Sequence, residues 1–483
     1  MTETKESNGD RPAFVKTKIV CTVGPSSLDE DVLRAMCREG MNVARLNLAH
    51  TTGDDIRAIA RRVRECADAV GRPVALLGDI QGSKIRVGHL DEPIPLEPGD
   101  RVRLAPEELA GAGELPITYS ALADDLGEGD RILIDDGQIV LRARGVRSPR
   151  VEAEVEVGGR VTSGRGINLP GVKVSAPALT EKDLADLEVA LEVGVDCLAL
   201  SFVRQASDIE ELRSRVPDDV LIIAKIEKDA AIEHLAAILD ASDAIMVARG
   251  DLGAELPFEK VPLAQKRMVR MANTRYRPVI IATEMLESMV DRPRPTRAEI
   301  SDVANAILDG TDAVLRAAET ATGHYPVESV RAIRRVIREI ESSTLLAGGP
   351  AYDVPQILRE RAPVATEVAV AGATVKAVRL LDAPAVVTFT KSGFTARVIS
   401  SRRPPVPIVA VTDTEPVFRQ LGIVWGILPV LCRDEPEYEN MWEVARAELL
   451  RLGLASPGDR VVVTAGIPFH VRGTTNMVRI QTV

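Results

Sequence analysis

The segment Lys225-Ile226-Glu227 ends an apolar, β-branched run, and the two-residue period of a strand puts its ammonium and carboxylate on one face with Ile226 opposite. A second such run ends in Arg249-Gly250-Asp251-Leu252-Gly253, which delivers another carboxylate from the next strand end. Two hard oxygen ligands with room left for water and substrate suit Mg²⁺ or Mn²⁺. The pattern alone equally allows a plain Lys225–Glu227 surface salt bridge. The Arg-Gly-Asp tripeptide could also suggest cell adhesion, but it abuts a strand that reads as buried.

Other strand ends carry chemistry of the same kind. In Asn42-Val43-Ala44-Arg45-Leu46-Asn47-Leu48-Ala49-His50, alternation places Arg45 and Asn47 together. A guanidinium there can grip phosphate through paired donors, or it can be a solvated loop arginine. His50 alone is more often structural than catalytic. The run Gly78-Asp79-Ile80-Gln81-Gly82-Ser83-Lys84-Ile85-Arg86 adds a dense cluster of charge. Thr283, closing Ile281-Ala282-Thr283-Glu284, offers a hydroxyl to a substrate or to a following helix as its cap. Near the end of the chain Thr390-Lys391-Ser392-Gly393 follows a strand and opens a helix, where amides and Lys391 could cradle a phosphate and Ser392 could equally be an ordinary N-cap.

The elements that must position these groups alternate as βα units. Strands are predicted at Lys18–Val23, Met41–Leu46, Val74–Ile80, Cys197–Phe202, Leu221–Glu227, Ala244–Ala248, Pro278–Thr283 and Ala313–Ala318, separated by amphipathic stretches. Eight such units match a (β/α)₈ barrel, whose functional groups collect where strands end and loops begin. The rhythm breaks after the third strand at the proline-rich Asp91–Pro98. Alternation such as Val151-Glu152-Ala153-Glu154-Val155-Glu156-Val157 then predicts an inserted β domain, closed off by Gly164, Gly166, Pro170 and Gly171. Beyond a polar bridge near Gly348–Pro355, strands at Ala385–Thr390, Ile408–Thr412, Ile427–Leu431, Val461–Ala465 and Met477–Val483 predict a C-terminal α/β domain. The expected divisions are an N-terminal arm at 1–14, barrel at 15–83 and 172–345, an inserted lid at 84–171, and a C-terminal α/β domain at 346–483, to which the resemblance described below gives a regulatory role.

Bulk properties narrow the classes. A chain of 483 residues exceeds one ordinary core. Apolar content of 45% with 27% charged residues is that of a globular protein, and a formal charge of −11 disfavours nonspecific binding to nucleic acid or anionic membrane. Cys21, Cys37, Cys66, Cys197 and Cys432 form no CxxC pair, so reduced, buried thiols are expected rather than a disulfide framework or zinc site. No apolar run reaches the roughly 18 residues of a membrane span, and a cytoplasmic location is expected.

Together these segments resemble the pyruvate kinase family, from Thr17-Lys18-Ile19-Val20-Cys21-Thr22 to Gly473-Thr474-Thr475-Asn476. Specific pieces are Arg45 to His50, Lys225-Ile226-Glu227, Arg249 to Gly253, the run Arg294-Pro295-Thr296-Arg297-Ala298-Glu299-Ile300-Ser301-Asp302-Val303-Ala304-Asn305, and Glu319-Thr320-Ala321. The resemblance implies a (β/α)₈ barrel with a small β-barrel lid and a C-terminal α/β domain, and a glycolytic transfer of phosphoryl from phosphoenolpyruvate to ADP, giving pyruvate and ATP. It implies that Glu227 and Asp251 hold Mg²⁺ or Mn²⁺, that Lys225 stabilises the phosphoryl group in flight, and that Arg45 binds the phosphate. Amides at Gly250 and Asp251 would meet the substrate carboxylate, Thr283 would lie near the carbon that is protonated, and Asn47, His50 and Arg86 would line the nucleotide and cation sites. It further implies a homotetramer with a sugar-phosphate or nucleoside monophosphate effector near Thr390 to Gly393, although Phe394 interrupts the polar pattern there.

The chain also departs from the family. Many members need K⁺, held partly by a serine hydroxyl at the position of Ala49, and carry glutamate in place of Lys84. The resemblance is therefore to the K⁺-independent branch, with Lys84 standing in for the cation. Glu284 replaces a usual glutamine and Arg316 a usual leucine, and a Glu284–Arg316 ion pair within about 4 Å is expected, since an unpaired buried arginine is costly. Ser175 stands for a lid aspartate and Glu188 for a lysine. Two competing readings are a noncatalytic metabolite-binding relative, motivated by Arg316 and Glu188, and another metal-dependent, enolate-forming barrel enzyme, which accounts for the carboxylates but not for the domain layout.

Overall fold

The computed structural model describes residues 14–346, 365–432, 437–467 and 475–483. Eight parallel strands at Lys18–Thr22, Val43–Asn47, Ala75–Ile80, Cys197–Leu200, Leu221–Ile226, Ala244–Ala248, Val279–Ala282 and Ala313–Arg316 close into a barrel. Each predicted barrel strand is present, with ends shifted by a residue or two. Their buried apolar runs are those of parallel strands covered on both sides. Val43, Leu77, Ile223 and Met246 fill the interior, while Ile19, Leu46, Ile222 and Val247 face the helical layer.

The side chains that share parity with the interior layer, two residues further along each strand, are the ones that reach the mouth of the barrel. Arg45 follows Val43, Asp79 follows Leu77, and Lys225 follows Ile223. Arg45, Asp79 and Lys225 are placed at the barrel mouth by this alternation.

Helix caps lie where the sequence supplies them. Asp29 accepts from the amides of Asp31 and Val32 and starts the helix Glu30–Glu39, which ends on Gly40 at φ 121°. Thr296 and Glu299 form a reciprocal capping box on the helix Arg297–Leu308. Glu299 also accepts from the amide and hydroxyl of Ser288, tying that helix to the loop after the seventh strand. Part of the Arg294–Asn305 run thus serves architecture.

The inserted domain leaves after the third barrel strand. A six-stranded sheet runs in the order Ile167–Asn168, Arg131–Ile134, Ile139–Arg147, Arg150–Val157, Arg101–Pro106 and Glu114–Ile117. A two-stranded ribbon, Ile94–Leu96 with Gly159–Val161, lies beside it, and the whole has its own apolar core around Leu104, Ile132 and Leu141. The C-terminal sheet orders Ile427–Leu431, Ile408–Thr412, Val386–Phe389, Arg460–Gly466 and Thr475–Thr482, the last strand antiparallel to its neighbour. The bridge near Gly348–Pro355 lies outside the described residues.

Barrel and C-terminal domain meet through a buried polar knot. Arg403 donates to both carboxylate oxygens of Asp312, at 3.0 and 3.1 Å, and to Asn273 Oδ1 at 2.9 Å. Asp312 in turn accepts the amides of Val279 and Trp425, and the Arg403 guanidinium lies 4.9 Å from the Trp425 ring centroid. The five cysteines are buried and unpaired. Among the described residues no helix is long and apolar enough to cross a membrane.

Candidate functional site

The barrel mouth is organised by a residue whose role sequence reading missed. Asp79, at the end of the third strand, is almost fully buried. Its Oδ2 accepts from Arg45 Nε at 2.6 Å and its Oδ1 lies 3.3 Å from Lys225 Nζ. Burial alone would raise this carboxyl, but Lys225 and Arg45 outweigh that and hold it below its ordinary value. Arg45 also donates to Thr22 Oγ1 at 2.9 Å. The guanidinium is thus fixed through Nε and Nη1 while staying partly open to solvent. Only the parity of Asp79 with Leu77 and Ala75 hinted at this in the sequence.

Lys225 is buried with Nζ 3.1 Å from Glu227 Oε1 and donating to Ser201 Oγ at 2.7 Å. Burial pulls its pKa down, yet Asp79 and Glu227 more than compensate, so the net direction is up and the ammonium stays charged. Lys225 and Glu227 therefore do pair, but in the barrel mouth and not on the surface. Glu227, 1% exposed, accepts the Phe202 amide at 2.6 Å through Oε2. Burial pushes its carboxyl up, Lys225 opposes this, and the negative charge of Asp251 adds to the rise. A buried carboxylate with a second negative charge beside it is a natural place for a cation.

Asp251 lies in the first turn of the helix Arg249–Glu255, which begins directly where the sixth strand stops. Its Oδ1 is 3.1 Å from Lys84 Nζ. Lys84 and Lys228 each approach the Phe202 ring, at 5.4 and 5.6 Å from its centroid, so the ring is flanked by two ammonium groups. Phe202 has φ 56°, a left-handed conformation that turns its amide toward Glu227, and nothing in its residue type announces it. Lys228 and Asn168 of the inserted domain both bond Glu255, anchoring that domain to the helix that carries Asp251. The inserted domain also brings Asp136 near Asp251, and the two negative charges, with burial acting first, raise the Asp136 carboxyl. Asp136, Arg249, Gly250, Glu284 and Asp302 border a cleft of ≈ 710 Å³.

Thr283 Oγ1 accepts the Gly250 amide at 2.9 Å and donates to Ala282 O at 2.7 Å. Thr283 and Glu284 both have left-handed backbones, φ 66° and 54°. Such conformations cost of order 1–3 kcal/mol each, and a β-branched residue adopts them only under constraint.

The expected Glu284–Arg316 pair is not formed. Arg316, fully buried in the eighth strand, lies instead 3.0 Å from Glu319 Oε1, three residues on. The left-handed turn carries Glu284 to an exposed position. Glu319 additionally accepts the amides of Leu286 and Ala317.

The remaining expected residues are more dispersed. Arg86 donates to Gly164 O at 2.9 Å, within the inserted domain. Asn47 ends the second strand, in register with Asp79. The side chain of His50 lies outside the described residues. Ser175 is exposed and bonds Asp125 and Tyr119, and Glu188 is exposed. In the C-terminal domain Lys391 Nζ is 3.1 Å from Asp413 Oδ2, Thr390 donates its amide to Val411 O, Ser392 O accepts from Arg397, and Gly393 has φ 73°.

The donor set fits one hard divalent cation held by few protein ligands. Among the described residues no group of three or more His, Cys, Asp or Glu side chains forms a metal cage, and a pair of carboxylates such as Glu227 and Asp251 would leave positions for water and a phosphate. Fold and site thus define a (β/α)₈-barrel protein whose mouth gathers three carboxylates, two lysines and an arginine under an inserted β domain.

Comparison with known proteins makes this specific. The family model for the pyruvate kinase barrel domain matches residues 14–330, and that for the pyruvate kinase alpha/beta domain matches residues 368–481. A pyruvate kinase of Mycobacterium intracellulare is 43% identical over 469 residues, covering 96% of this chain and 98% of that protein. That of Agrobacterium vitis is 42% identical over 468 residues with the same coverage. That of Geobacillus stearothermophilus is 42% identical over 479 residues, 97% of this chain and 80% of the relative. The chain belongs to the pyruvate kinase family.

Proposed function

We propose that the protein transfers phosphoryl from phosphoenolpyruvate to ADP as a glycolytic enzyme, and that Glu227 and Asp251 hold the divalent metal, Mg²⁺ or Mn²⁺. The observation that carries this reading is the cluster of Lys225, Glu227, Asp79 and Arg45 at the ends of the second, third and fifth barrel strands, with Lys225 kept protonated by its two carboxylate neighbours. When bound, the metal would neutralise charge on the phosphate oxygens. Arg45, steadied by Asp79 and Thr22, turns its partly exposed guanidinium to the substrate phosphate. Lys225 supplies preorganised positive charge to the phosphoryl group between donor and acceptor oxygens. The Gly250 amide is engaged by Thr283, which leaves the Asp251 amide, without a helical acceptor in the first turn, to meet the substrate carboxylate. Thr283 lies near the carbon that receives the proton, and Asn47, His50 and Arg86 border the nucleotide.

Lys84 takes the place of a monovalent cation. Its ammonium stands beside Asp251 and over the Phe202 ring, so a fixed positive charge is supplied covalently where K⁺ would otherwise be recruited. Residues 84–171 act as a lid and 346–483 as a regulatory domain in a cytoplasmic homotetramer. A sugar phosphate or nucleoside monophosphate bound at Thr390 to Gly393 would have to compete with Asp413 for Lys391.

One assay tests the activity and the cation together. With phosphoenolpyruvate, ADP and Mg²⁺ in buffer free of K⁺ and NH₄⁺, ATP is expected to form at full rate. Absence of ATP with or without K⁺ would refute the activity, and strong activation on adding K⁺ would refute the substitution by Lys84.

A further inference from the structure

The loop after the seventh barrel strand is held in a conformation that its own residues do not favour. Thr283 and Glu284 are consecutive left-handed residues, and neither is glycine. Their side chains do not account for this: Glu284 is exposed, and among the described residues the Thr283 hydroxyl bonds Ala282 O and the Gly250 amide. The constraint comes from Arg249.

Arg249 is 8% exposed. Its Nη2 donates to Thr283 O at 2.8 Å and to Glu284 O at 3.0 Å, with Met285 Sδ at 3.1 Å, while Nη1 donates to Asp302 of the helix Arg297–Leu308 at 2.8 Å. One planar group therefore grips the carbonyls of both left-handed residues and is itself anchored by a carboxylate on the neighbouring helix. The next residue, Gly250, donates its amide to the Thr283 hydroxyl. Residues 249 and 250 together fix the backbone and the side chain of Thr283, beside Asp251.

We propose that Arg249 is a positioning residue for the transfer reaction, holding the Thr283 hydroxyl at its place in the site through the carbonyls of Thr283 and Glu284. This rests on the assignment of Thr283 to the substrate site. A lysine at 249 keeps the charge but cannot span Asp302 and two carbonyls at once. An asparagine at 302 keeps the guanidinium but weakens its anchor.

The test is a kinetic cycle on the full-length chain: wild type, Arg249→Lys, Asp302→Asn, Thr283→Ala and the Arg249→Lys/Thr283→Ala double variant. Misplacement of a reacting group by about 1 Å costs on the order of 10²-fold, so Arg249→Lys is expected to lower kcat by about 10- to 100-fold, with KM for ADP changed by less than about twofold. Asp302→Asn is expected to lower kcat in the same direction by about three- to tenfold, and it carries the test if Arg249→Lys does not fold. In the Thr283→Ala background, Arg249→Lys is expected to reduce kcat by less than about threefold, because the two act as one unit. Fully additive losses, or unchanged kcat in both Arg249→Lys and Asp302→Asn, would overturn the proposal. A wild-type chain without phosphoenolpyruvate-dependent ATP formation would sink the functional reading instead, before any variant is compared.

Discussion

Replacing Lys225 with methionine is expected to lower kcat for ATP formation by about 10³-fold or more, the scale on which fixed positive charge acts in phosphoryl transfer. Methionine fills nearly the same volume, so the loss reads charge and not packing. The fold should survive, because the two carboxylates left behind keep other partners: Asp79 retains Arg45, and Glu227 retains the Phe202 amide. Phosphoenolpyruvate should still bind, since Arg45 is untouched, so KM is expected to move far less than kcat. Steady-state rates of ATP release, with circular dichroism on the same sample, check this. A variant that is folded and retains more than a tenth of the wild-type rate would remove Lys225 from the chemistry.

The largest stability effect is expected far from the site. Arg403→Met strips the buried Asp312 carboxylate of its charged partner at the junction of barrel and C-terminal domain. Breaking one side of a buried pair costs about 3–5 kcal/mol, because the remaining charge stays desolvated. Asp312 then keeps the amides of Val279 and Trp425 and the more distant charge of Lys18. Unfolding of a multidomain chain is not two-state, so the readout is the calorimetric profile, where the first transition is expected to fall by at least about 5 °C. An unchanged profile would mean that the apolar contacts of the junction suffice without the ion pair.

Much of this architecture was legible because one physical rule repeats. Parallel strands covered on both faces must be apolar, so runs such as Leu221–Ile226 and Ala244–Ala248 stand out, and alternation then fixes which polar residue at each strand end reaches the barrel mouth. Lys225, Glu227 and Arg45 were found in this way. Other features depend on geometry that residue types do not encode. Phe202, Thr283 and Glu284 are left-handed without glycine, and in each case the consequence follows from the backbone: an amide aimed at Glu227, a hydroxyl held against Gly250, and a carboxylate turned to solvent. The Arg316 expectation failed for that last reason. The paired substitutions point to Glu284 as its partner, but Glu319 is three residues away in the same chain and is already fixed by the Leu286 and Ala317 amides. Asp79 was visible as a charge but not as the group that joins Arg45 to Lys225, because that role appears only when the second, third and fifth strands are seen around one opening.

In the proposed mechanism Glu227 and Asp251 grip a single divalent cation. Titration of the full-length chain with Mn²⁺, following free Mn²⁺ by electron paramagnetic resonance, measures this without any turnover. One site per chain is predicted for the wild type, weakened by about 10-fold or more in Glu227→Gln and in Asp251→Asn, since each removes one of two charged ligands. Equal Mn²⁺ binding in wild type and both variants would contradict the account.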